Sequence, residues 1–174
     1  MPPKTIYHHM KPLNAQMAAN YKCGFGPSRI VLLLTTTGRK SGLQHTTPLQ
    51  FEKVDGDIYI PSARGKQADW FKNILVNPKV YVRIGEREFE AVADPVTDPK
   101  RIADLLELRL KRHSVMIRLI MHLFDGLPLC FNRADLEAFC EEKAMVILHD
   151  CSKNPYLYLL DYFAAAVGRC LYGV

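Results

Sequence analysis

Hydrophobic residues fall along the chain in short, regular groups. Val31 to Leu34 are four consecutive aliphatics followed by three threonines, which predicts a buried strand over Arg29 to Thr36. Pro48 leads into a second apolar stretch, Thr47 to Val54. Asp55-Gly56 is a strong turn signal, so Ile58 to Pro61 is expected to return antiparallel. Lys79 to Ile84 alternates apolar and polar, Gly85-Glu86 turns it, and Glu88 to Ala93 alternates again, the pattern of two paired half-buried strands. Between these groups, Asp69 to Val76 reads as a short helix with Trp70, Phe71 and Ile74 inward, ended by Asn77-Pro78.

Helical patterns flank this centre. Pro12 to Tyr21 places Leu13, Met17 and Tyr21 on one face. Asp98 and Pro99 suit the N-cap and first position of a helix over Lys100 to Phe124, apolar over a wide arc and read as core-packed. Arg133 to Lys143 is another helix, Ala144 to Leu148 a closing strand, and Tyr156 to Leu171 an aromatic amphipathic helix. Antiparallel strands interrupted by one short helix predict an α+β chain built on a small β-barrel. The expected organisation is a single domain over 1–174. Residues 1–28 form an arm and helix, 29–95 the barrel core, and 96–174 a helical part with the closing strand.

Composition narrows the classes. The 174 residues are 48% hydrophobic, enough for a substantial core. A net charge of +5 favours anionic ligands without the basic density of a nucleic-acid binder. The five cysteines are odd in number and lack a Cys-x-x-Cys pair, which fits reduced thiols. No apolar run reaches membrane-spanning length, and MPPKTIYHHMKPLN has no signal-peptide core. A cytoplasmic location is therefore expected.

The chemistry concentrates after the first strand. Gly38-Arg39-Lys40-Ser41-Gly42 gathers two cations, a hydroxyl and glycine-flanked backbone N–H groups in one turn, a set that suits a phosphate or polycarboxylate. A solvated hairpin tip is the plain alternative. It is not a Walker loop: the spacing is wrong and a strand follows. Gly24-Phe25-Gly26 is misplaced for a dinucleotide loop. The histidines His8, His9, His113, His122 and His149 lack acids at metal-ligand spacing, so no metal is expected. No Gly-x-Ser-x-Gly elbow is present.

The strings TTTGRKSG and HTTPL, followed by PSARGKQADWFKNILVNPKVYVRIG, resemble the signature blocks of the deazaflavin-dependent nitroreductase family, also called F420H2-dependent quinone reductases. The resemblance covers roughly Ile30 to Pro95 and implies a flavin-binding split β-barrel. It implies coenzyme F420 as cofactor, with hydride transfer to a quinone, nitroaromatic or enone. Arg39, Lys40 and Ser41 match the position that holds the anionic tail. Ser62, Ala63, Arg64 and Lys66 match a second basic loop, with Arg in place of Lys and Lys66 at a glycine position. His45 stands where relatives often carry arginine facing the ring, a contact that histidine would make pH-dependent. Thr46, Thr47 and Pro48 match the segment along the ring. Trp70 matches the helix under the cofactor, with a core anchor as its plain reading. Tyr156, Tyr158 and Tyr162 are candidates to line an acceptor pocket. No catalytic acid or base is assigned. The alternatives are an FMN- or heme-binding barrel and a non-catalytic F420 carrier. A homodimer paired through the sheet, and membrane-surface contact should the acceptor be a quinone, follow by the same analogy.

Overall fold

The computed structural model describes residues 15–21, 29–112, 121–122, 127–128 and 130–152. Among them the order is a helical segment α1 (15–21), β1 (Val31–Thr37), β2 (Gln44–Gln50), β3 (Glu52–Val54), β4 (Asp57–Ser62), a 3-10 turn (Gly65–Gln67), α2 (Asp69–Val76), β5 (Lys79–Ile84), β6 (Arg87–Val96), α3 (Pro99–Arg112), α4 (Arg133–Cys140) and β7 (Ala144–Asp150). The predicted helix over Tyr156 to Leu171, with its three tyrosines, lies outside the described residues, as does 113–120 of the long helix.

The seven strands form one antiparallel sheet in the order β2-β1-β5-β6-β7-β4-β3. Its two edge strands, β2 and β3, are one run of chain broken only at Phe51. A sheet whose opposite edges are covalently continuous has to curl until they meet. The result is a split β-barrel, as anticipated. At the bend, Phe51 N–H donates to Ile30 O at 3.1 Å while the ring joins the interior.

Alternation sorts the faces. Leu32, Leu34, Ile58, Ile60, Val80, Val82, Phe89, Val146 and Leu148 fill the barrel. Trp70, Phe71 and Ile74 of α2 join that same core, and Asn73 of α2 bonds Thr36 near the end of β1, so α2 plugs the end from which β1 exits. On the outside, Val96, Met145, Ile147 and Tyr59 pack against Ile102, Leu106 and Leu110 of α3 and Leu136 of α4. The two helices are tied through Arg133, which pairs with Asp104, Glu107 and Glu137. α1 covers β1 through Tyr21, whose hydroxyl donates to Val31 O at 2.9 Å and accepts from Gly85 N–H at 2.8 Å.

Asp98 caps α3 as predicted, its Oδ1 accepting from Lys100 N–H at 3.2 Å. Asn132 and Asp135 form a reciprocal capping box on α4. Three expectations change. The strand expected from Thr47 starts three residues earlier, because Gln44 to Thr46 pair in register with Thr37 to Thr35. The single predicted strand over Thr47 to Val54 is two, divided at the Phe51 bend. On α1 the buried face is Ala18 and Tyr21, and Met17 is 37% exposed.

Phe51 is 9% exposed, and its loss would open a cavity at the barrel seam. Phe51→Ala is expected to cost about 3–5 kcal/mol, measured by urea denaturation. A loss under about 1 kcal/mol would mean that the bend does not depend on the ring.

Candidate functional site

The β1–β2 connection is a closed six-residue loop. Gly38 N–H donates to Leu43 O and Gly42 N–H donates to Gly38 O, each at 2.8 Å. Gly42 has φ +69°, a left-handed conformation suited to glycine. Gly38 is crowded in a different way: a Cβ there would lie 2.7 Å from Ser41 Oγ and 2.9 Å from His45 Nε2, so those two side chains would have to move aside. The His45 ring thus rests against the loop, while Ser41 Oγ accepts from Leu43 N–H at 3.3 Å.

This loop is latched to α2. Arg39 N–H donates to Asn73 Oδ1 at 3.2 Å, and its Nη1 donates to the same oxygen at 3.0 Å. Arg39 Nη2 meets Asp69 Oδ1 at 3.0 Å. Asn73 Nδ2 in turn donates to Thr36 Oγ1 at 3.2 Å. Asn73 is buried, and its side chain therefore joins β1, the loop and α2 through satisfied hydrogen bonds.

The second basic segment comes to the same end. Ser62 Oγ donates to Gly65 O at 2.7 Å, which closes the turn carrying Arg64 and Lys66. Gly65 has φ +53°, and a Cβ would lie 2.0 Å from Glu142 O, so this turn abuts the connection between α4 and β7. The hydrogen bond from Arg39 is the main force holding the Asp69 carboxyl below its usual range, against the opposing effect of burial. The charges of Arg39, Arg64 and Lys72 add to it. One carboxylate thus feels cations from both predicted loops.

Of the residues singled out in the sequence, Arg39, Lys40, Ser41, His45, Thr46, Ala63, Arg64 and Lys66 are exposed, and Thr47 and Pro48 are half-buried. Thr46 Oγ1 lies 2.8 Å from Thr35 Oγ1. Ser62 and Trp70 point inward: the Ser62 hydroxyl donates to the backbone, and Trp70 stacks edge-on against Phe71 at 6.0 Å within the core. β2 pairs only with β1, which leaves its second edge without a strand partner among the described strands. Asp69 and Asn73 were not singled out as site residues, although Asn73 stands in the Trp-Phe-x-Asn string. Their four-residue spacing on one helix face is the signal that would have found them. No cluster of metal-ligating side chains occurs among the described residues. The described cysteines, Cys130, Cys140 and Cys151, carry no disulfide.

The family model of F420H(2)-dependent quinone reductases matches residues 11–114, more than half the chain and the whole of the loop, latch and barrel strands β1 to β6. The chain belongs to this family. An F420H(2)-dependent quinone reductase of Mycobacterium tuberculosis and a putative one of Mycobacterium bovis are each 38% identical to it over 69 residues, 37% of this chain and 46% of theirs. The match thus spans about half the length of these curated relatives. A solved F420-H2 dependent reductase, FDR-A, is 19% identical with a TM-score of 0.45, over 68% of this chain and 94% of that one.

Two outcomes follow from the latch. Asn73→Ala strips the buried amide from three partners and is expected to cost about 1–3 kcal/mol, read by urea denaturation. A depressed carboxyl stabilises the fold above its ordinary pKa of about 4, and this is lost only as pH falls through the lower folded value. The Arg39–Asp69 contact should therefore survive at pH 5 and release only below the ordinary carboxylate value of about 4. NMR of the Asp69 carboxyl carbon reads this. Because Asp69 is 68% exposed, the effect on stability is expected to stay under about 1 kcal/mol.

Proposed function

We propose that the chain is an F420-dependent reductase acting on a quinone, with nitroaromatics and activated enones as further acceptors of the same electron-poor character. The observation that carries this reading is the cationic Gly38–Leu43 loop, held by Asn73 at the end of the barrel beside edge strand β2. F420 joins a deazaflavin ring to a phosphodiester and a polyglutamate tail, so it needs cations at one end and a polar edge at the other. The donor set fits. Lys40 and Arg64 present charge, and β2 presents main-chain groups and threonine hydroxyls along Thr46 to Pro48.

When bound, the reduced coenzyme supplies a hydride from its ring, which is the hard part of the chemistry. The work of this chain is orientation. Arg39 is tied to Asp69 and Asn73, so it acts first as a strut that sets the loop, while exposed Lys40 carries the tail contact. His45, lying against Gly38 between loop and strand, is positioned to bond a polar group of the ring.

Titration with F420 and with FMN tests the cofactor. Reoxidation of reduced F420 on adding menadione tests turnover, and binding without reoxidation would make the chain a carrier. Lys40→Ala is expected to weaken full-length F420 by about tenfold, equivalent to one charge-assisted contact, and to leave the melting temperature and the affinity for the tail-less chromophore unchanged. Arg39→Ala should lower both stability and affinity. Equal losses of tailed and tail-less ligand in Lys40→Ala would move the tail site elsewhere.

A further inference from the structure

The other end of the barrel carries a second feature. Antiparallel partners share a face, and Lys53 pairs with Ile58, Arg87 with Ile84, and Asp150 with Ala91. Ile58, Ala91 and their neighbours belong to the barrel core, with Ile84 packed against it. Three charged residues therefore occupy inward-facing positions in the last layer of the barrel, where a sealed end would use apolar ones. They top a cavity of about 220 Å³ whose walls include Ile58, Ile84, Phe89 and Leu148. The lining is that of a ligand site at a barrel mouth, and the volume suits a molecule of a few heavy atoms rather than a drug-sized one.

The polar groups point to the ligand. Arg87 Nη2 meets Asp150 Oδ2 at 2.6 Å, and its guanidinium carbon lies 4.8 Å over the Phe89 ring. Lys53 lines the same cavity. Asp57 pairs with Val54, which faces α3 and lines a different cavity, so Asp57 belongs to the outer face. Two inward cations thus face one inward acid. Arg87 already meets a carboxylate through one nitrogen while its guanidinium lies over an aromatic ring, a charge-assisted contact at the rim of the apolar chamber.

We propose that this mouth binds a small monocarboxylate with a short alkyl or aryl tail. The tail lies among Ile58, Ile84, Phe89 and Leu148, and the carboxylate takes Arg87 from Asp150 with help from Lys53. The site lies at the opposite end of the barrel from the Gly38–Leu43 loop and does not depend on the reductase reading. Asp150 is then a built-in competitor. Asp150→Asn keeps the Oδ1 that accepts from Ser152 N–H at 3.0 Å and removes the charge that occupies Arg87.

Methyl NMR of the full chain, with hexanoate as probe and hexanamide as its neutral counterpart, tests this. Hexanoate should move the methyls of Ile58, Ile84 and Leu148 saturably, with a Kd of about 1 mM or tighter. Hexanamide should bind about tenfold more weakly. Asp150→Asn should tighten hexanoate several-fold, and Arg87→Gln should erase the preference for the charged probe, each read below its own lowered melting temperature, since both variants break an ion pair whose acid is largely buried. Unmoved methyls in both the native chain and Asp150→Asn would overturn the proposal. So would equal binding of the two probes to the native chain, or shifts confined to Leu105 and Leu106 around the other cavity.

Discussion

The buried amide of Asn73 sets the geometry on which the cationic end depends. A glycine-flanked hairpin with two adjacent cations would by itself sample many positions in water. Here one side chain fastens it, accepting from the loop backbone and from the Arg39 guanidinium while donating to Thr36 on β1. In a low-dielectric interior such bonds are stronger than at the surface, and leaving any of them unmade is costly. The amide serves this purpose better than a carboxylate or an aliphatic group could, because it both accepts and donates. The helix that plugs the barrel therefore also aims the loop.

The continuity of β2 and β3 has consequences beyond closure. A strand that begins at one edge of a sheet and ends at the other leaves a split where its two halves diverge at Phe51. The β2 half meets one neighbour only, so its second edge keeps its hydrogen-bonding capacity. Its polar residues are consistent with that position: Gln44, His45 and Thr46 are exposed, and none resembles the aliphatic run of β1. Closure thus leaves an open strand edge, and the loop latch places charge beside it.

Where local pattern and tertiary environment agree, the elements could be read directly. α2 and β5 form with the bounds expected, since a strong amphipathic period, an Asn-Pro stop and a clean alternation are all local signals. The second strand was expected to start only at Thr47, because nothing in Gln44 to Thr46 is apolar. That run is strand only through pairing with β1, a long-range cause that composition does not carry. Ser62 was read as a ligand contact from its place in a motif, yet it follows Ile58 and Ile60 in the same period of two, and that period turns it inward. The role of Arg39 was half legible. Its charge was evident, but its engagement by Asp69 required knowing that α2 packs against the loop. Two of the inward charges were hidden by boundaries: the strand expected from Glu88 begins at Arg87, and the strand expected to end at Leu148 runs to Asp150.

The two barrel ends make a useful contrast in how a fold handles surplus charge. At the plugged end, Arg39, Lys40, Arg64, Lys66 and Lys72 gather where Asp69 is the only acidic residue of α2. That excess is tolerable because the side chains reach water, and it lowers the cost of bringing a polyanion close. At the other end the charges lie above apolar walls, and Asp150, with a side chain only 9% exposed, balances Arg87 directly. An exposed excess attracts long, multiply charged ligands without demanding a fixed pose. A nearly balanced pair over an apolar chamber selects for a single charge and a tail that fits. The first set stands on turns and a helix and the second on strand alternation, and the packed interior of Leu34, Ile60, Val82 and Val146 separates a ligand held at one end from the other.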